Sequence, residues 1–478
     1  MSDHTKSDDP KDGQKKGFSL HRRSFLKGMG VAAATAAMPH IWVPNTAIAQ
    51  TEARGSVKHL LYIRLADGFR FTAAFNGNVD SQYNPFGTAE SVADNTEWGV
   101  GQLMELSGWL NGDNGELRRA MGMRPATELT DQLAVLPCVD HEPVSARADG
   151  NHNTGLQRFN TGYVGGGTSF FTMINYGLRQ RFEEAREAGE IALPAFSLGD
   201  SGMARGAGDY AAFRPPVMQG DGFERFGFSA SDSLPDWAGE MARGVDERYR
   251  DSRHIRNRAA VDAYLQTRDA TEQYAEVFNA EALKIRNGSD EPIDGLSNSE
   301  LDLIFGDNRV GRNVRLALRL FHFGCPAVYL NQGRYDLHSG EENGLPPMME
   351  ELNRIISGLE VALKAMDHPE GGSYWDHTLV AFGSEFGRTA RGSRFNSARG
   401  SDHSGDNATR WMSMPFMGGP VETAGTGGRI FGMTRPSDLK AEGQVYSYRS
   451  VLKTMMDVLG CDHRDFFPAD RPFGDLFS

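Results

Sequence analysis

The chain has 478 residues, 39% of them hydrophobic, and a formal net charge of −13, with 63 Asp and Glu against 50 Lys and Arg. That acidic balance argues against nucleic acid and anionic membrane surfaces as partners. Three widely spaced cysteines, Cys138, Cys325 and Cys461, allow one disulfide at most and form no Cys-x-x-Cys pair, which removes thiolate zinc sites and dithiol redox chemistry from consideration.

Residues 1–17 are polar. His21-Arg22-Arg23-Ser24-Phe25-Leu26-Lys27 follows, and then a weakly apolar run from Gly28 to Met38. Such a run is too short to cross the roughly 30 Å hydrocarbon core as a helix. With the small-x-small sequence Ala47-Ile48-Ala49 behind it, the segment reads as a twin-arginine signal cleaved after Ala49. The expected location is therefore the periplasm or the exterior, and the twin-arginine translocase is a partner during export. That route carries folded proteins, so a metal is able to enter before export. No cysteine follows the cleavage site, so a lipid anchor is not indicated. Residues 1–49 carry +3, which leaves 429 residues at −16. Residues 50–478 are expected to form a single large domain, with a helical and loop cap insertion around 200–300.

Lys58 to Leu65 (KHLLYIRL) predicts a buried strand, and Gln132 to Val139 a second. Residues 200–245 are rich in Gly, Phe and Ser and predict loops over the sheet. Asp251 to Arg286 is charged and helical in pattern, suiting the cap. Asn308 to Phe323 has helical periodicity, with Val310, Val314, Leu318 and Phe321 on one face and Gly324 as its stop. Ala327 to Leu330 predicts a strand, Pro346 to Met366 an amphipathic helix opened by proline, and Thr378 to Phe382 another buried strand. Residues 388–430 read as a long irregular segment, and Tyr446 to Leu459 as a late helix. Strands alternating with helices predict an α/β sandwich with a mainly parallel sheet. Cys138 and Cys325 lie in apolar runs and read as buried structural residues.

In open α/β sheets, ligands bind beyond the carboxyl ends of the strands. The first strand runs into Asp67-Gly68, and the second into Asp140-His141 and then Asn151-His152-Asn153-Thr154. AVYL runs into Arg334-Tyr335-Asp336-Leu337-His338, and TLVAF into Glu385-Phe386-Gly387-Arg388. Asp402-His403 lies in the Gly- and Ser-rich stretch beyond. Each acid or histidine alone would read as a turn or a surface residue; their recurrence after successive strands predicts a metal centre of Asp67, Asp336, His338, Glu385 and His403, with Asp402 a ligand or an orienting group. Mixed oxygen and imidazole donors suit Zn or Mn, and an all-oxygen subset suits Mg or Ca. Two ions about 4 Å apart would clamp a phosphoryl oxygen and activate a nucleophile. Arg388 and Arg334 are placed to hold an oxyanion. His377 precedes its strand and belongs at the opposite end of the sheet, without a role; His322 reads as structural.

Thr378-Leu-Val-Ala-Phe-Gly-Ser-Glu-Phe-Gly-Arg-Thr389, followed by Gly400-Ser-Asp-His403, resembles the signature of a secreted bacterial family known as domain of unknown function 1501. Arg334 to His338 is similar to that family's Trp-Asp-x-His motif, with Tyr335 in place of Trp. Leu193 to Phe196 and Gly206 to Gly208 echo its middle region, and the likeness runs from about residue 57 to 433. The family looks like a branch of the alkaline phosphatase and sulfatase superfamily. The resemblance thus implies a three-layer α/β/α sandwich of alkaline-phosphatase type. It also implies one or two divalent ions, with Asp67 as first ligand and Asp336, His338 and His403 around the other ion. The chain departs from the superfamily in having Asp-x-His for Asp-x-x-x-His, and Glu385-Phe386 for an Asp-His pair, which removes one histidine ligand. The nucleophile normally opens a helix after the second strand. Thr154 lies in that region, and His152 is the residue that matches the family there, so His152, Thr154 and Arg388 are the catalytic candidates. The Cys/Ser-x-Pro-x-Arg motif for formylglycine is absent.

The expected function is an exported metal-dependent hydrolase of phosphate or sulfate esters, acting on a small-molecule or polymeric anionic substrate. The alternative is a non-catalytic envelope or surface protein that keeps the fold with a degenerate metal site. The export signal gives the first test: replacing Arg22 and Arg23 with Lys should trap uncleaved precursor in the cytoplasm, as followed by fractionation and immunoblot. Normal processing of the double variant would contradict the signal assignment.

Overall fold

The computed structural model describes residues 55–477, apart from 76–77, 80, 90–98, 144–149, 189–191, 226–235, 253–276, 391–396, 404–406 and 475. Its frame is an eight-stranded sheet made of β1 (His59–Leu65), β2 (Ala134–Asp140), β3 (Phe196–Leu198), β4 (Val217–Met218), β5 (Ala327–Gln332), β6 (Thr378–Gly383), β7 (Trp411–Gly418) and β10 (Tyr446–Ser447). A separate two-stranded ribbon pairs β8 (Met433–Thr434) with β9 (Ala441–Glu442). The order across the sheet is β10-β2-β7-β6-β1-β5-β3-β4. β7 alone runs against its neighbours; the other pairs are parallel. The central strands are buried on both faces, as near-continuous apolar runs demand when helices cover a parallel sheet.

Alternation along β1 shows the two helical layers. On one face Tyr62 stacks on Phe159 of α1 (His152–Thr161), meets Phe170 of α2 (Phe170–Gly177) edge-on, and shares a 2.9 Å hydroxyl contact with Tyr448 of α5 (Tyr448–Val458). On the other face His59 packs against Phe321 of α3 (Arg309–His322). The long α4 (Glu341–Ala365) joins that layer through the short helix Asn298–Phe305, which packs on both α3 and α4. The protein is therefore a three-layer α/β/α sandwich with a mainly parallel sheet, as the sequence predicts.

Three expectations need correction. Residues 388–430 are not irregular throughout, because Trp411–Gly418 is a buried strand pairing with both β2 and β6. Its sequence, WMSMPFMG, is rich in Met and holds a Ser and a Pro, so its strand propensity is weak. Pro415 is accommodated opposite Val135, next to a register shift in β2. Second, α4 begins at Glu341, five residues before the predicted proline start, and Pro346 and Pro347 lie inside it. The earlier start buries Glu341 against Arg70, with contacts of 2.9 and 2.5 Å. Third, residues 200–245 are not loops alone: they hold β4 and a helix at Asp236–Asp251. Much of the expected cap, at 226–235 and 253–276, lies outside the described residues, as do the signal and its cleavage site. Among the described residues no helix is long and apolar enough to cross a membrane.

All three cysteines are free and buried. Burial pushes the thiols of Cys138 and Cys325 up to about 12, and that of Cys461 higher still.

At the amino end of the sheet sits a cluster of histidines that the strand-end argument leaves out. Nδ1 of His59 donates to the Cys325 carbonyl at 2.8 Å, and its Nε2 lies 3.3 Å from Nε2 of His368. Nδ1 of His368 accepts the backbone N–H of Glu370 at 3.1 Å, so its proton belongs on Nε2 and points at His59. His377 stacks on His368 at 3.8 Å, confirming its place at this end. Burial above all, and the neighbouring His368, lower the His59 pKa from 6.5 to about 3, although its bond to Cys325 opposes the shift. His59 is thus neutral when folded but takes a proton when unfolded below pH 6.5. Stability should fall as pH drops from about 6.5 toward 3, by up to about 1.4 kcal/mol per pH unit from this residue. Urea unfolding between pH 7 and 5 should show a shallower slope in His59→Leu than in the wild type; equal slopes would contradict the assignment.

Candidate metal centre

The carboxyl ends of β5, β1 and β6 lie side by side, with Ile63 opposite Leu330 on one flank and Phe382 on the other. Their following loops therefore leave the sheet at one edge. The β1 exit is held by Ala66 N–H to the Gln332 carbonyl (3.1 Å) and by Tyr335 N–H to the Ala66 carbonyl (2.9 Å). The chain then turns through two left-handed residues, Asp67 (φ 73°) and Gly68 (φ 85°). That conformation is tolerated by Asp and is routine for Gly. It aims the Asp67 N–H at Oε1 of Glu385, 2.9 Å away. Gly68 has a second reason to lack a side chain, since a Cβ there would lie 2.1 Å from the Phe386 ring.

At this edge the predicted ligands come together. Nε2 of His338 lies 3.0 Å from Oδ1 of Asp336 and 3.1 Å from Nε2 of His403. Nε2 of His152 lies 3.2 Å from Nε2 of His403 and 3.3 Å from Oδ2 of Asp336. Two groups able to hold an ion overlap here: His152, Asp336 and His403, and His338, Asp402 and His403. A third group, Asp67, His152 and Glu385, adjoins them, so His152 borders both halves of the centre. Side-chain exposure falls from 44% at His338 and 35% at Asp336 to 2% at Glu385, so the centre opens to solvent on the imidazole side and is closed beneath.

Electrostatics fit that gradient. Burial works against ionisation of Asp336, but the hydrogen bond and charge of Arg388, with His152 and His338, hold its carboxyl below the ordinary value. Burial raises the Glu385 carboxyl, opposed by Arg64 and reinforced by Asp67. Burial and the charge of Arg388 lower the His403 imidazole, keeping it neutral and able to donate a lone pair.

The remaining candidates fall elsewhere. Arg388 is buried, and its guanidinium donates to the carbonyls of Gly68 (2.9 Å), Asp67 (3.1 Å) and Tyr335 (2.5 Å) and to Oδ1 of Asp336 (3.0 Å). These contacts brace the loops around the site, while its Nη1 is buried without a hydrogen-bond partner among the described residues. The Asp402 carboxylate accepts the His403 N–H at 2.7 Å and lies 3.7 Å from Nδ1 of His338, the nitrogen turned away from the cluster, which suits orientation better than ligation. The Thr154 hydroxyl is engaged within its own helix, 3.4 Å from the Asn151 carbonyl and 3.5 Å from Arg158. Asp140 pairs with Arg410 at 2.5 and 2.9 Å and His141 is buried against Arg158, so the end of β2 supplies no ligand to these groups. His322 pairs with Asp294 at 2.9 Å on the α3 side.

Two participants escape the sequence argument. Arg64 is 7% exposed within β1, with Nη1 3.6 Å from Asp200 and Nε 4.0 Å from Glu385. Burial opposes its charge, but the Tyr329 hydroxyl, Glu385, Asp200 and Asp67 more than restore it. Asp200 follows β3 as Asp67 follows β1. Both signals are present in the sequence: a lone arginine in an otherwise apolar central strand demands an acidic partner, and Leu198-Gly199-Asp200 repeats the strand-then-acid pattern.

The donor set fits a divalent ion. Three imidazole nitrogens with one carboxylate match the preferences of zinc-class ions, and the oxygen-rich Asp67–Glu385 side matches harder ions. Fold and centre together define a mainly parallel α/β protein with a histidine–carboxylate site at the carboxyl edge of its sheet. The chain belongs to the family described as protein of unknown function (DUF1501), whose profile matches residues 115–475. That match takes in Asp336, His338, Glu385 and His403, begins after β1 and Asp67, and extends past residue 433. Residues 19–39 match the TAT (twin-arginine translocation) pathway signal sequence, so the protein is exported to the periplasm or beyond. Two solved structures are similar over much of the chain. One is Ps i-CgsB in complex with k-i-k-neocarrahexaose, at 10% identity and TM-score 0.35, over 90% of this chain and 76% of that one. The other is the integral membrane protein lipooligosaccharide phosphoethanolamine transferase A (EptA) from Neisseria meningitidis, at 9% and 0.32, over 95% and 66%. No curated protein matches the chain.

The turn beneath the centre makes a direct test. Gly68→Ala combines a left-handed backbone with a clash against Phe386, and should destabilise the protein by about 1–3 kcal/mol in urea unfolding. A variant as stable as the wild type would show that the turn relaxes freely.

Proposed function

We propose that the protein is an exported metal-dependent hydrolase of phosphate or sulfate esters, built on the alkaline phosphatase and sulfatase plan that its motifs resemble. The observation that carries this reading is the convergence of Asp336, His338 and His403 on one point, with Asp67 and Glu385 alongside, at the carboxyl ends of adjacent parallel strands. Divalent ions bound there would supply Lewis-acid charge to the oxygens of the ester.

The chain's own residues set up the rest. An anionic ester is repelled by a mature chain of charge −16, so affinity must come from local positive charge, and buried Arg64 adds a fixed cation beneath Glu385. Arg388 acts as a positioning residue, locking Asp336 through one hydrogen bond and its loop through the Tyr335 carbonyl. The exposed rim at His338 and Asp336 gives substrate its approach, while the buried floor at Glu385 keeps water out.

One observation favours the non-catalytic alternative. The Thr154 hydroxyl lies 3.4 Å from the Asn151 carbonyl within its own helix, and three of the hydrogen-bond acceptors of Arg388 are loop carbonyls, which supports a weaker claim on the nucleophile and oxyanion roles. Metal content and hydrolysis of a panel of phosphate and sulfate esters, polymeric ones included, separate the two readings, since a loaded protein inert toward all of them favours the alternative. His338→Ala and His403→Ala should each lower metal affinity by more than about 100-fold, and any ester hydrolysis with it, leaving the fold intact. His377→Ala, at the other end of the sheet, should behave as wild type. Equal metal content in all three by plasma mass spectrometry would mean that the cluster holds no metal.

A further inference from the structure

The resemblance to the superfamily leaves one imidazole unaccounted for, because Glu385-Phe386 stands where an Asp-His pair is usual, and it leaves His152 at the position of a nucleophile. Both questions bear on the same residue. His152 is the first residue of α1, and the Asn151 side chain caps that helix by accepting the N–H groups of Asn153 (3.0 Å) and Thr154 (3.2 Å). One turn on, Gly155 packs so closely on Phe386 and the Glu385 carbonyl that a Cβ there would lie 3.0 and 3.3 Å from them. The start of α1 is thereby pressed onto the exit of β6. The His152 ring meets Phe386 edge-on at 5.1 Å and His403 at 4.4 Å, which fixes its direction toward the cluster.

The donors of His152, His338, His403 and Asp336 then crowd together: Nε2 of His403 lies 3.1 Å from that of His338 and 3.2 Å from that of His152, Oδ1 of Asp336 lies 3.0 Å from His338 and 3.6 Å from His403, and its Oδ2 lies 3.3 Å from His152. Ligand bonds of about 2.0–2.1 Å around a tetrahedral ion put its donors about 3.3 Å apart. Hydrogen bonding accounts for the arrangement poorly. Nε2 of His403 faces Nε2 of His338 and of His152 together with Oδ1 of Asp336, yet a ring nitrogen offers only one proton or one lone pair. A cation shared among these donors would relieve that crowding.

We propose that His152 is a metal ligand, the fourth in a three-histidine, one-aspartate centre for a zinc-class ion, and not the nucleophile or general base. The proposal rests on the metal-binding reading above.

The test uses the purified mature chain, stripped and titrated with Zn²⁺ or Co²⁺, in wild type, His152→Ala and His152→Cys. Wild type should bind one equivalent with the intense visible absorption of tetrahedral cobalt. His152→Ala should bind at least about 100-fold more weakly and lose that absorption, with its circular dichroism unchanged. His152→Cys should recover binding and add a thiolate-to-cobalt charge-transfer band, which a merely structural residue would not produce. If His152→Ala keeps wild-type affinity and spectrum, or the cysteine variant binds without the new band, the proposal is wrong while the metal reading stands. If wild type binds neither ion, both fall together.

Discussion

The buried guanidinium of Arg388 ties together the loops that leave three neighbouring strands. It comes from the β6 exit, takes the carbonyls of Asp67 and Gly68 at the β1 exit, and takes Tyr335 and Asp336 after β5. Two of these acceptors, the carbonyls of Gly68 and Tyr335, are buried. Each would cost about 1–3 kcal/mol if left buried and unpaired. A lysine offers one compact charge in place of a planar fork, so it is unable to serve both flanks together. The relative positions of Asp67, Asp336 and Glu385 follow from this brace as much as from the sheet register.

A second buried arginine serves the opposite flank in a similar way. Arg70 is paired with Glu341 at the start of α4 and donates to the Gly400 carbonyl at 3.2 Å, while Ser401 donates to the same glutamate at 3.1 Å. The loop that delivers His403 is therefore anchored two residues before the ligand. Arg64 completes the pattern beneath Glu385, where the acids outnumber it. Burying three cations among carboxylates is costly unless each is matched, so charge pairing at the edge of the hydrophobic core helps to hold the site in place.

How much of this was legible in the sequence depended on the kind of signal. Strands β1, β5 and β6 are continuous apolar runs ended by an acid, and their order of appearance was enough to place Asp67, Asp336 and Glu385 on one edge. Asp336 and His338 were readable from their spacing, and His403 from the motif around it. What escaped was encoded between distant segments. β7 has little strand propensity of its own and exists because β2 and β6 lie on either side of it. The start of α4 is set by a pairing across 271 residues, between Arg70 and Glu341. His152 was visible as a candidate, but its direction depends on how α1 packs against Phe386, a tertiary fact that no local pattern contains. The hydrogen-bond partners of Arg388 and Thr154 were hidden for the same reason, since they come from the fold and from neighbouring loops.

The three free thiols have a consequence of their own in a protein that works outside the cytoplasm. Thiolate is the reactive form, and burial holds all three far from it at neutral pH. The folded molecule enters an oxidising compartment with nothing for a disulfide catalyst to seize, and needs no such catalyst to mature. Only a chain that has opened exposes its sulfurs, at which point mispairing makes the loss permanent. Oxidant then acts as a one-way sorting step, sparing intact copies and removing those that have let go of their core.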